Sequence, residues 1–213
     1  MEEVFPQIVF KLFNVIPVRD TVIFTWIMMA LTLGAVCIAR RFKPEALEMF
    51  IDFVSDIVSD LLGRPAEPFL PLLGALMLYL LLGNNLGLLP MLASPMKDVN
   101  TPLALALVVF FAVHYYGIRE QGVRGYFKSL STPFFMLLME AIGQVSRTMA
   151  LALRLFGNVL SSEFIVIVIF SLVKPVAPLL MMFIGAFSSV LQAYIFVALA
   201  SNYIAAALGA GKK

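Results

Sequence analysis

Apolar runs long enough to become membrane helices recur along this chain, at roughly 21–39, 69–89, 101–118, 133–173 and 176–208. A bilayer core about 30 Å thick takes about 20 residues of α-helix, and inside it each backbone N–H and C=O has to be paired within the segment. The chain is therefore read as an all-α integral membrane protein with five membrane-embedded helices. Composition agrees, since 62% of residues are hydrophobic and 13% are charged, against about 45–50% and about 25% in soluble domains. The breaks carry helix-stopping residues: Lys43-Pro44, Pro65 with Pro68, Pro90 to Pro102, Gly117 to Pro133, and Lys174-Pro175.

Several function classes fall away on the same grounds. A net charge of +2, scattered along the chain, makes no footprint for nucleic acid. The one cysteine, Cys37, lies in an apolar run, so neither a disulfide framework nor a cysteine-based zinc site is expected. No metal-ligand cluster, phosphate loop or nucleophile–base arrangement is present, so no cofactor and no covalent catalysis by this chain alone are expected. Residues 1–20 have neither the basic start nor the small-residue site of a cleaved leader. There is no internal repeat, and residues 1–213 read as a single membrane domain.

Lysine and arginine collect at Arg40, Arg41 and Lys43, at Arg119, Arg124 and Lys128, and at Lys212 and Lys213. With five spans all three clusters fall on one side of the membrane, which the positive-inside rule makes the cytoplasm. The N-terminal segment 1–20 is then outside. Between the first two spans, 45–61 spaces Glu45, Glu48, Asp52, Asp56 and Ser59 at three- and four-residue steps. Leu47, Phe50, Ile51, Val54, Ile57 and Val58 fill the other side. This is an amphipathic helix expected at the cytoplasmic interface, and its acidic face favours a protein partner over anionic lipid. The last two runs are longer than a perpendicular span requires, so they are expected to form a long tilted hairpin.

Ionisable side chains inside membrane helices are costly and mark ion pathways or buried pairs. The fourth run holds Glu140, Arg147, Arg154 and Glu163. At about 100° per residue from Arg154, Asn158 and Glu140 fall near 40°, Arg147 near 20°, Gly143 near −20° and Ala150 near −40°. One face thus combines charge, amide and small side chains, while Glu163 falls near 180°. A guanidinium stays protonated, so Arg154 cannot relay protons; it can attract a carboxylate, favour its ionised form and repel cations. A structural alternative stands beside this reading: Arg154 pairs with Glu140 or an amide, and Arg147 and Glu163 reach to an interface. On the last run, Gln192 follows Ser188 by one turn and precedes Asn202 and Tyr203; a membrane glutamine also serves to bond helices together. Asn84 and Asn85 close the second run beside Gly83 and Gly87, where helix packing explains them as well as a hydrated opening does. His114, beside Tyr115 and Tyr116, reads as an interfacial residue.

The stretch Leu151-Ala152-Leu153-Arg154-Leu155-Phe156-Gly157-Asn158, followed by Glu163 and by Leu191-Gln192-Ala193-Tyr194-Ile195-Phe196, resembles subunit a of the F-type ATP synthase. The likeness extends to Asn84 through Pro90, to Asp98-Val99-Asn100-Thr101, to Glu140, and to the five-span layout. It implies a proton-conducting stator subunit, itself non-catalytic, in a bacterial plasma membrane. Implied partners are a rotating ring of c-subunits, peripheral-stalk b subunits, the remaining synthase subunits and the lipid bilayer. Arg154 would separate two aqueous half-channels; Asn158, Glu163 and Gln192 would line the route, with Asn84, Glu140, Arg147, Ser188 and Tyr203 as further lining. Two positions depart from the family's pattern, Gly185 and Gly87, where relatives often carry polar or acidic residues. A free-standing proton- or sodium-coupled transporter, or a structural assembly protein, are the competing readings. A transporter would be expected to show symmetry between its halves, which this sequence lacks.

Overall fold

The computed structural model describes residues 8–12, 16–86, 94–131, 134–172 and 176–209; at 8–12, 16–21, 86, 127–131, 134–137, 141, 163, 170–172 and 176–179 it describes the backbone alone. Among the described residues, two short strands, β1 (Ile8–Leu12) and β2 (Ile16–Arg19), pair antiparallel ahead of six α-helices. The helices are α1 (Asp20–Phe42), α2 (Pro44–Leu62), α3 (Leu70–Leu86), α4 (Asn100–Ser131), α5 (Phe134–Leu172) and α6 (Val176–Gly209). The chain is all-α in class; the β-ribbon is an addition that hydropathy did not announce.

Stretches within α1, α4, α5 and α6 are long and apolar enough to cross a membrane: Val22–Phe42, Asn100–Tyr126, Leu138–Ile169 and Leu180–Gly209. The helix α3 is as apolar but shorter, 17 residues within the described part of the chain, or about 25 Å at 1.5 Å per residue. Residues 87–89 of the expected second span, with Gly87, lie outside the described residues.

Helix α2 starts with proline in its first turn, where a missing N–H costs nothing, and stops at Gly63. That glycine takes φ 63° and donates its N–H to the Ser59 carbonyl at 2.8 Å. Val54 and Val58 are fully buried, Phe50 packs against the core, and Glu45, Glu48, Asp52 and Asp56 remain exposed. The helix lies against α3 and α6, so its apolar stripe docks on protein.

Helix α4 continues beyond the expected end near residue 118. Its course changes at Gly122, whose φ 70°, ψ 158° backbone is open to glycine and strained for other residues. In a straight helix Tyr126 would stand about 13 Å beyond Gly117. Here its ring covers Gly117 so closely that a Cβ there would lie 2.5 Å from Tyr126 Cε2, and it sits 6.0 Å from the His114 ring. The His114 Nδ1 is 2.8 Å from the Phe110 carbonyl oxygen, one turn back on the same helix.

Three contacts gather one end of the bundle. Arg64 and Glu120 form an ion pair at 2.7 Å, Tyr116 donates its hydroxyl to the Pro68 carbonyl at 3.2 Å, and Gln121 donates to the Ala207 carbonyl at 2.7 Å. The loop before α3, the later part of α4 and the last turn of α6 therefore meet, with Arg119 and Arg124 at the same end. At the other end a 3₁₀ turn (Pro95–Lys97) seats Met96 against Gly83, and Ser94 donates to the Gly83 carbonyl at 3.0 Å. Asp98 Oδ1 there accepts from the backbone and side-chain N–H groups of Asn100, at 3.2 and 2.9 Å. Between the two ends Leu73, Leu80, Val113, Leu155, Phe196 and Ile204 are buried in one core.

Candidate functional site

The functional candidates lie on α5 and α6, which pack against each other, with Asn84 on α3. Two side-chain contacts set their register. Ser188 of α6 donates to Asn158 Oδ1 of α5 at 3.2 Å, and the Arg147 guanidinium stands 5.6 Å from the centre of the Tyr203 ring. The contact that lies earlier on α5, at Arg147, lies later on α6, at Tyr203, so the helices run antiparallel. Interpolating between the contacts sets Arg154 level with the α6 turn that carries Gln192.

Around α5 the burial pattern sorts the side chains. Leu151, Ala152, Leu155 and Val159 are buried in the core, while Leu138, Ile142, Val145, Met149 and Leu153 are open along an apolar face. The polar row lies on the border between that open face and the seam with α6. Asn158 closes onto Ser188 in the seam; Arg154 is exposed at the edge. Among the described residues Arg154 makes no ion pair, and Glu140, about 21 Å away along the same helix, is out of its reach. Glu140 Oε1 accepts from Arg147 Nη1 at 3.3 Å and from Gln144 Nε2 at 3.1 Å. The pairing of Arg154 with Glu140, allowed by the sequence, is not the one the fold makes.

Gln192 is 6% exposed and its Nε2 has no hydrogen-bond partner; Asn84, at 5%, leaves both side-chain amide atoms unpaired. Buried amide atoms without a protein partner require water or an ion to satisfy them. Glu163 lies on α5, but its side chain is outside the described residues. Among the described residues no group of three or more His, Cys, Asp or Glu side chains is placed to hold a metal.

Among the described residues, sequence reasoning gave no functional role to five buried polar side chains, Ser94, Lys97, Asp98, Ser189 and Ser201. Ser201, fully buried on α6, has an unpaired hydroxyl, and Lys97 and Asp98 are 7% and 5% exposed at the α3–α4 turn. The signal at Asp98 was its place two residues before a helix start, a position for N-terminal capping; Lys97 and Ser201 gave none.

Helices of this length and apolarity, with ionisable side chains among them, define a multi-pass helical membrane protein. The family model for the ATP synthase A chain matches residues 22–205. The chain belongs to that family. It is 39% identical to "ATP synthase subunit a 2" of a Bradyrhizobium species, over 95% of each chain. It is 37% identical to "ATP synthase subunit a 2" of Acaryochloris marina, over 94% of this chain and 90% of the relative. It is 35% identical to "ATP synthase subunit a" of a Geobacter species, over 89% and 87%. Membership favours the synthase reading over a free-standing transporter.

Proposed function

We propose that this chain is the proton-translocating stator subunit of a rotary ATP synthase, non-catalytic in itself, with residues 1–213 as one membrane domain. The c-subunit ring runs along the open face of α5 and α6, and b subunits of the peripheral stalk and the other synthase subunits complete the complex. The three basic clusters face the cytoplasm of a bacterial plasma membrane, and the β-ribbon lies outside.

The observation that carries the reading is Arg154: exposed at the edge of an apolar helix face and unpaired among the described residues. An unpaired guanidinium in a membrane is stable only when a carboxylate or water meets it. A ring carboxylate arriving along that face supplies the partner. Arg154 favours its ionised form, so the proton leaves before the carboxylate passes. The same fixed charge repels a proton attempting a direct crossing, which keeps two half-channels separate. Asn158, held by Ser188, flanks the arginine, and Gln192 with Asn84 offers amides to a hydrated route. Glu163, nine residues beyond Arg154 and so about half a turn around by helical periodicity, is assigned to the second half-channel as its carboxyl relay.

Proton flux through reconstituted vesicles tests the division of labour. The chain alone is expected to be silent, and the chain with its ring to conduct. Conduction by the chain alone would contradict the proposal and return the transporter reading.

A further inference from the structure

We infer that Glu140 serves ion passage as the fixed counter-charge of Arg147, rather than as a carrier of the ion; the inference rests on the stator reading above. Both residues project from the row that holds Arg154, and Arg147 lies seven residues away, about 10 Å along the axis. Left uncompensated, Arg147 would add a second positive charge to the path beside Arg154. The structure shows how it is compensated. Glu140 Oε1 lies 3.3 Å from Arg147 Nη1, Gln144 holds the same oxygen at 3.1 Å, and the guanidinium rests over the Tyr203 ring at 5.6 Å.

Each contact has a separate task. The carboxylate cancels the charge. Gln144 donates its amide to that carboxylate, fixing the oxygen that meets Arg147. The aromatic face of Tyr203 attracts the cation and ties it to α6, keeping it in the seam. The pair's side chains are partly open, at 38% and 40% exposure, so passing ions sense whether they cancel. Arg147 and Tyr203 are then positioning residues, and the carboxylate of Glu140 acts through Arg147.

The assignment separates from a relay role by a paired substitution. A relay needs the carboxyl group, so removing it is harmful whatever residue 147 is. A counter-charge is dispensable once its partner is neutral. In vesicles bearing the assembled synthase, Glu140→Gln is expected to slow ATP-driven pumping about tenfold, from one unit charge unmasked at about 10 Å in a medium of effective dielectric about 20. The loss is expected to shrink as salt on the cytoplasmic face is raised, because screening weakens the exposed charge; a folding defect would not respond in this way. Glu140→Gln with Arg147→Gln is expected to return pumping to within about twofold of native, by the same cancellation. A double variant as slow as Glu140→Gln, or a Glu140→Gln that pumps normally, overturns the inference. Should Glu140→Gln fail to assemble, the exchanged pair Glu140→Arg with Arg147→Glu decides. Pumping by the assembled exchange supports the counter-charge, and its loss in an assembled complex refutes it. Arg154→Ala in the same vesicles separates the two levels. Pumping retained there removes the stator reading itself, whereas pumping lost there with no rescue by the double variant removes only the role given to Glu140.

Discussion

At the scale of single residues, the fold discriminates between side chains that the sequence places together. Arg147 and Arg154 share a face and a charge, yet one is paired with Glu140 and covered by Tyr203 while the other stands open. Helical periodicity set out the row, with Glu140 about 20° from Arg147 and about 40° from Arg154, and helix rise already favours the first pair, about 10 Å apart along the axis against about 21 Å for the second. What the row could not give is the cover of Tyr203 over Arg147, which depends on the register of α5 against α6 and so on tertiary contacts. Gly117 is a second case. It was read only as the start of a break, but Tyr126 packs where its side chain would be. Gly117→Ala is expected to destabilise the chain by about 1–3 kcal/mol through overpacking, measured as a lower thermal unfolding midpoint in detergent. Tyr126→Leu is expected to relieve much of that loss, and independent, additive effects would show that the two residues do not share the site.

At the scale of elements, periodicity was most informative where a helix has two unlike sides. The pattern over 45–61 gave both the existence of α2 and its buried residues Val54 and Val58; Ile51, expected on the apolar side, is 39% exposed. What the pattern could not give is the surface covered, which proves to be α3 and α6. Val58→Asp is expected to release α2, because a buried, unpaired carboxylate costs several kcal/mol. Faster trypsin cleavage within residues 40–64 would report it, with Asp52→Asn, on the exposed face, cleaved at the native rate. Equal cleavage of the two would contradict the docking of α2. The end of α4 was less legible. A glycine inside a helical pattern reads as a stop, whereas Gly122 redirects the chain and helix resumes beyond it. The β-ribbon at Ile8–Leu12 and Ile16–Arg19 escaped a hydropathy reading because its strands are short, and strand pairing depends on a partner as much as on local sequence.

At the scale of the whole molecule, the solvent dictated the class. A chain this apolar must satisfy its backbone internally, and helices are the local solution. The ordering of those helices was legible only in outline. Basic clusters implied that certain loops share a side; the contacts of Arg64 with Glu120 and Gln121 with Ala207 join the stretch after α2, the later part of α4 and the last turn of α6. The polar row, by contrast, takes its arrangement from the packed pair α5–α6, with Asn158 joined to Ser188 and Arg154 left open beside them. On the proposed reading, the assembled complex is where a partner carboxylate reaches the open Arg154. ATP-driven acidification of vesicles containing the assembled synthase, with native chain or Arg154→Ala at equal assembly, tests that dependence most directly. The account predicts that pumping is lost while the complex stays intact; pumping that persists in the intact Arg154→Ala complex would contradict it.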